Sequence, residues 1–235
     1  VSNACAVTPA GLQVFYRDES QGIILGAALT KTGWIYEIVD GDRQSEGRTT
    51  GDVGFSLSAV ASGKSVYLIY DSVLTLSSNN VATQGEVRLA KRNSIYPEDW
   101  SYTTLDGPDN GVAVAGYDVS ISNSGNRIAA AWLTASGLRL PNADEVRFLI
   151  VNEDDYPSRL SPERHGTPGS PLLIDSKGMV FGCQDRICSV GAYSSTPKLN
   201  NGAILNNVKD SAIVTINKVR YAVTSISKKL VLVKL

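Results

Sequence analysis

The chain has 235 residues, of which 43% are hydrophobic and 19% charged, with 21 Gly, 9 Pro and a formal net charge of -1. So apolar and so nearly neutral a composition excludes a disordered polymer, and it lacks the electrostatic footprint that binds nucleic acid or an anionic membrane. No apolar run approaches the roughly 20 residues of a spanning helix, and a single His beside three Cys and one Met excludes a His pair or a His-rich metal site.

The first residues, VSNACAVT, have no signal-peptide layout, so a targeting segment is expected to have been removed or never present. From there the apolar residues recur with the period of strands, and no segment carries a helical stripe with a cap at each end. Residues 4–41 read as ACAVT, the turn PAG, LQVFYRD, QGIILGAAL and GWIYEIVDG. Residues 56–105 repeat the grammar as SLSAVAS, the turn GK, SVYLIYD, GEVRLAKR and a strand ending in WSYTTLDG. Residues 116–160 follow with GYDVSIS, NSG, NRIAAAWLT, DEVRFLIVN and a poorer fourth strand. Weaker copies occupy 170–206 (SPLLID, SKG, MVFGCQ, ICSVGAYS, GAILNN) and 210–235 (DSAIVTI, NK, VRYAVTSI, SKKLVLVKL).

Four antiparallel strands recurring about every 47 residues are the pattern of β-propeller blades. A twisted four-stranded sheet has two faces to bury, and radial packing of blades covers both. The expectation is an all-β chain forming one propeller domain over residues 1–235, with about five blades. The turns between first and second strands are short, as at Gly63-Lys64. The connections after second strands (72–84, 134–144) and after fourth strands (42–54, 106–115, 161–169) are longer. Antiparallel geometry brings both long sets to one face, where a binding function is expected. Tyr16, Tyr70 and Trp132 end the second strands on that face. They are expected to stack on a sugar ring while Arg17, Asp71, Arg88 and Arg147 bond its hydroxyls. Trp34 and Trp100 open fourth strands and are expected in the core.

Catalytic motifs are sparse. Gly166-Thr167-Pro168-Gly169-Ser170-Pro171 resembles the nucleophile region of trypsin-like proteases, but Pro168 holds the nucleophile's place. The only His, His165, lies directly upstream, where it cannot be oriented as a base. The segment therefore reads as the start of the fourth blade, with His165 in a loop. Cys183 and Cys188 bracket a predicted hairpin at a spacing that permits a disulfide and, with it, a secreted location; Cys5 is left over. The carboxylates Asp40, Asp52, Asp71, Asp106, Asp109 and Asp118 sit at loop starts, where a pair at the central channel would serve a glycosidase. Asp118 is the best single candidate because innermost strands line the channel. Segments 40–54 and 106–111 offer Asp and Asn to calcium without the spacing of an EF-hand loop, so no cofactor is required.

The run Leu12-Gln13-Val14-Phe15-Tyr16-Arg17-Asp18-Glu19, with Gly22-Ile23-Ile24 and Gly33-Trp34, is echoed by Val66 to Asp71, Gly85 to Leu89 and Trp100. This pattern resembles the fungal fucose-lectin type of β-propeller and, more loosely, the sialidase-like repeat superfamily. The resemblance implies a secreted, non-catalytic lectin that binds monosaccharides between blades. In that family an Arg on the second strand and a Glu on the third hold the sugar. Here Gln13, Tyr67 and Ala129 stand in place of the Arg, and Leu89 and Phe148 in place of the Glu. The resulting expectation is a secreted, lectin-like recognition module whose partner is a glycan or cell-surface glycoprotein. Two alternatives stay open: a glycoside hydrolase-like enzyme with carboxylates at the central channel, and a protein-interaction or adhesion domain of a larger surface protein.

Overall fold

The computed structural model describes residues 2–43, 47–93, 100–124, 127–135, 145–152, 163–166, 173–174, 179–184, 187–192, 208–216, 219–226 and 229–234. These residues form strands, joined by turns and one short 3-10 segment, Pro108–Asn110. The first sheet holds β1 (Asn3–Thr8), β2 (Gly11–Asp18), β3 (Ile23–Thr30) and β4 (Gly33–Asp40) in sequence order, each antiparallel to the next. The second set is β5 (Val53–Ser62), β6 (Ser65–Leu76), β7 (Ala82–Arg92) and β8 (Ser101–Asp106). The third is β9 (Val114–Ser124), β10 (Arg127–Ala135), β11 (Glu145–Asn152) and β12 (Glu163–Gly166). A single parallel bridge, Gly85 with Val114, joins the second and third sets into an eight-stranded sheet. Two three-stranded sheets follow: β13 (Leu173–Ile174), β14 (Met179–Gln184) and β15 (Ile187–Ala192), then β16 (Val208–Ile216), β17 (Val219–Ile226) and β18 (Lys229–Lys234).

The architecture is a β-propeller, and β6 shows why this sequence adopts it. Val66, Leu68 and Tyr70 point toward the first sheet and pack with Phe15, Ile24 and Val39. Tyr67 and Ile69, on the opposite face, pack with Val119, Ile121, Ile128 and Trp132 of the third. A strand buried on both faces reads as a continuous apolar run, whereas a sheet with one wet face alternates. Successive blades also meet through backbone bonds near the start of the innermost strand, with the donor on opposite sides of the two seams. The Val53 N–H donates to the Gly22 carbonyl at 3.1 Å, and the Gly85 N–H donates to the Ala113 carbonyl at 3.0 Å.

Several expectations need correction. Residues 72–84 are mostly strand: β6 and β7 run past the rest of their sheet and close tightly, with the Ser77 N–H donating to the Val81 carbonyl at 2.8 Å and Asn80 at a φ of 57°. Polar and apolar residues alternate there, enough to extend a two-stranded ladder. Trp34 is 45% exposed, because it lies on the face of the first sheet turned away from the second. His165 pairs with Val146 in β12 and is therefore a strand residue, and the fourth strand of the third set comes after residue 160. The predicted strand at 202–207 and most of the connection 134–144 lie outside the described residues.

Candidate functional site at the mouth of the innermost strands

The register aligns the predicted site residues across blades. Tyr16 faces Leu25, Tyr70 faces Arg88 and Trp132 faces Arg147, so the three aromatics do hold corresponding positions. Tyr70 and Trp132 are, however, 0% exposed, and neither ring reaches solvent. Each belongs to a staple between blades. Asp40 ends β4, and its Oδ2 accepts the Tyr70 hydroxyl at 2.6 Å and pairs with the Arg88 guanidinium at 3.5 Å. Asp106 ends β8, and its carboxylate accepts the Trp132 indole N–H at 2.8 Å and Arg147 N–H groups at 2.9 and 3.0 Å. Both aspartates also accept the N–H of the glycine that follows, Gly41 at 2.7 Å and Gly107 at 3.0 Å. A carboxylate closing one blade is thus satisfied by an aromatic and an arginine from the next. Burial, with Asp40 next in effect, pushes the Tyr70 hydroxyl well above the usual tyrosine range, so it stays a donor.

Other expected residues do converge, at the starts of β5 and β9. Arg17, at the end of β2, donates from Nε to the Val53 carbonyl at 3.0 Å and pairs with Asp52 at 3.4 Å. Its guanidinium lies 3.8 Å over the Phe55 ring. Asp71 sits one residue beyond Tyr70 and is buried, its Oδ1 accepting the Ser56 N–H at 2.8 Å. The Phe55 N–H and the Asp71 N–H also support this carboxyl, and Arg17 lies near it. Burial outweighs these partners and pushes the Asp71 carboxyl up to about 7. The hydroxyl of the same Ser56 donates to Asp118 Oδ1 at 3.3 Å and accepts the Val119 N–H at 3.1 Å. One serine thereby couples a buried carboxyl from the second strand of a blade to a half-buried one from the innermost strand of the next.

The remaining carboxylates separate. Asp40 and Asp106 are consumed in the staples, Asp52 is half exposed beside Arg17, and Asp109 is exposed in the 3-10 segment. Among the described residues no group of three or more His, Cys, Asp or Glu side chains is arranged to hold a metal ion. Register sets Cys183 directly opposite Cys188 across β14 and β15, and Cys5 is a free, exposed thiol. Phe55 and Ser56 were not singled out from the sequence. The signal that finds them is the echo of Gly54-Phe55-Ser56-Leu57 in Gly116-Tyr117-Asp118-Val119.

No protein-family model matches the chain, and no curated protein matches it in sequence. Solved structures do match it in fold. An exo-1,5-α-L-arabinanase from a bovine ruminal metagenomic library superposes with a TM-score of 0.52 at 10% identity, over 99% of this chain and 91% of its own. An α-L-arabinofuranosidase from Lactobacillus brevis gives a TM-score of 0.56 at 7% identity, over 97% and 83%. A puromycin hydrolase gives 0.53 at 12% identity over 98% of this chain, which spans 38% of that protein. These likenesses establish the propeller part of the sequence resemblance. They overturn the non-catalytic lectin: the three solved chains just described are hydrolases by name, an arabinanase and an arabinofuranosidase among them. The enclosure of Tyr70 and Trp132 agrees, since a ring without solvent access cannot serve as a sugar platform.

Proposed function

We propose that the chain is a glycoside hydrolase-like enzyme whose reacting centre lies at the mouth of the innermost strands, with Asp71 as general acid and Asp118 as its ionised counterpart. The observation that carries the reading is the Ser56 link between the two carboxyls, one buried and one half-buried. Glycoside hydrolysis needs two carboxyl groups in opposite protonation states on either side of the scissile bond. Burial disfavours the charged form and pushes the Asp71 carboxyl up to about 7, so a substantial share of it still carries its proton at neutral pH. It gives that proton to the departing glycosidic oxygen as the C–O bond breaks. Asp118 then stabilises the oxocarbenium-like sugar, either by direct attack or by taking a proton from the incoming water. The fold shared with an arabinanase and an arabinofuranosidase makes arabinose-containing glycans the first substrates to try.

The test is hydrolysis of aryl arabinofuranosides and 1,5-arabinan by the purified chain. Asp71→Asn and Asp118→Asn should each lower kcat by about 10²-fold or more, with circular dichroism unchanged. For the wild type, kcat/KM should fall as pH rises past about 7, where Asp71 loses its proton. A fully active Asp71→Asn variant would remove the assignment. We further propose an exported protein with Cys183 and Cys188 cross-linked, which their register favours. Denatured without reductant, it should then titrate one thiol per chain, that of Cys5, and three titratable thiols refute the bridge.

A further inference from the structure

The strand that carries Asp71 does not stop at the mouth. Val53, the first residue of β5, pairs with Ser72, and Asp106, the last of β8, pairs with Val87. Residues 73–84 therefore stand beyond their neighbours as a two-stranded ribbon. Its base is seated on the innermost strands: the Val73 N–H donates to the Asp52 carbonyl at 2.9 Å, and Gly85, which bridges to Val114, donates to the Ala113 carbonyl at 3.0 Å. Both innermost strands bulge close to these seats, between Val53 and Leu57 in β5 and between Ala115 and Val119 in β9. Each bulge holds a left-handed glycine, Gly54 at a φ of 79° and Gly116 at 87°. Such bulges re-aim side chains next to active sites. Here Phe55 is left exposed beside Asp71, whose carboxyl its N–H supports.

The ribbon spends its polar side chains on itself. The Thr75 hydroxyl donates to Gln84 Oε1 at 2.8 Å and the Thr83 hydroxyl to the Thr75 carbonyl at 3.2 Å, while the Ser77 hydroxyl accepts the N–H groups of Asn79 and Val81 at 3.3 and 3.2 Å. These bonds brace an element that two strands alone hold only marginally. No residue from Val73 to Gly85 is charged, and Leu74 and Leu76 stay exposed. Among the described residues, the large hydrophobics that the second blade leaves exposed are these two and Phe55, all at the end where Asp71 sits. Scattered surface leucines need no explanation, but apolar side chains gathered at one end of a blade do.

We infer that the ribbon is the leaving-group wall of the site, where Leu74 and Leu76 take up an apolar aglycone, so that the preferred substrates join a sugar to an alkyl or aryl alcohol rather than to another sugar. The inference rests on the glycoside hydrolase reading and deepens it by naming the leaving-group class. A general acid stands beside the oxygen it protonates. The group bonded to that oxygen therefore departs past Asp71, next to the ribbon that begins two residues further along the same strand. A sugar leaving group brings hydroxyls that need partners, and an uncharged ribbon with its threonines and Ser77 already bonded serves them poorly. An alkyl chain asks for no partner and gains by leaving water. Hydrolysis then releases the alcohol, its oxygen protonated by Asp71, and water supplies the hydroxyl of the freed sugar.

The test uses the full chain with the methyl, butyl and hexyl glycosides of arabinofuranose, xylose, galactose and fructose, and the matching trioses as sugar-linked controls. The three alcohols differ little in acidity, so the trend across them reads contact with the alkyl chain. Cleavage is read by chromatography and binding by saturation-transfer NMR. For at least one sugar, kcat/KM should rise by about tenfold or more from methyl to hexyl and exceed that of the triose. Leu74→Ser combined with Leu76→Ser should flatten the rise, and Leu74→Met combined with Leu76→Met should keep it. Both pairs change exposed side chains, so their thermal melts should match the wild type. A rise retained in the serine pair overturns the wall and leaves the hydrolase reading standing. Cleavage of a triose with no rise along the alkyl series overturns the leaving-group class alone. Hexyl-selective binding without cleavage, lost in the serine pair, keeps the wall and removes the hydrolase. A wild type that neither binds nor cleaves any of these compounds removes both.

Discussion

At the scale of single residues, the staples and the acid respond differently to substitution. Asp106 is fully enclosed and satisfies both Trp132 and Arg147, which is itself buried. Asp106→Ala takes a buried ion-pair partner from Arg147 and the acceptor from the Trp132 indole, so it should destabilise the fold by about 3–5 kcal/mol. Arg147→Met combined with Asp106→Leu should recover much of that loss, because paired apolar replacements leave no stranded charge. Chemical denaturation of the three variants checks both statements, and a double variant no better than the single one would refute the second. Asp71 carries a pH signature of its own. Its carboxyl titrates at about 7 in the folded chain but at about 3.9 when unfolded. Between those values the folded state holds a proton that the unfolded chain has lost. The stability this gives is complete below about pH 4, declines as pH rises and is gone above about 7, a change of up to about 4 kcal/mol. Asp71→Asn removes that contribution, so its thermal midpoint should fall less between pH 5 and pH 8 than that of the wild type. Parallel curves for the two proteins would exclude a raised Asp71.

At the scale of strands, the bulges at the starts of β5 and β9 link backbone to site. A Cβ on Gly116 would lie 2.8 Å from the Asp71 Cβ and 2.9 Å from a Val87 methyl, and one on Gly54 would lie 2.7 Å from Ile24. The left-handed backbone adds its own penalty for a residue with a Cβ. Gly116→Ala should therefore cost more than about 1 kcal/mol and displace Asp71. Gly54→Ala should cost a similar amount while pressing on the seam between the first two sheets. Thermal melts of both variants, with the pH profile of Gly116→Ala, separate these effects. The strands themselves were legible, since runs such as Val66 to Tyr70 are long, β-branched or aromatic, and bounded by turn residues. The bulges were not, because one extra residue flips side chains between faces without disturbing composition. That is why Phe55 and Ser56 went unnoticed at the edge of a unit taken to begin at residue 56, while Asp71 and Asp118 were named among six carboxylates that turn chemistry explains equally well. Tyr70 and Trp132 are read from the sequence as equivalent, and they and the neighbouring Arg88 and Arg147 are assigned outward, whereas the structure turns all four into the seams. Periodicity gives equivalence between repeats, and only the partner Asp on the preceding blade reveals that these side chains close a seam.

At the scale of the whole molecule, the repeats are equivalent in position and unequal in chemistry. Where the second and third blades carry Tyr70 with Arg88 and Trp132 with Arg147, the first carries Tyr16 with Leu25 and has no arginine for a preceding aspartate. Its outer face is apolar instead, with Val7, Leu29, Trp34 and Tyr36 all exposed. The three tryptophans are consequently distributed one to each environment. Trp100 packs edge-on against Phe15 in the seam between the first two sheets, Trp132 lies in the next seam, and Trp34 faces solvent. Acrylamide should accordingly quench one emitting population out of three, and Trp34→Phe should abolish the quenchable fraction while shifting the remaining emission to the blue. Equal quenching of all three indoles would contradict the enclosed seams. With Trp34 absent, Trp100→Phe or Trp132→Phe leaves a single fluorophore in one chosen seam. Intrinsic fluorescence could then time the parting of each pair of blades separately during unfolding, with no label attached.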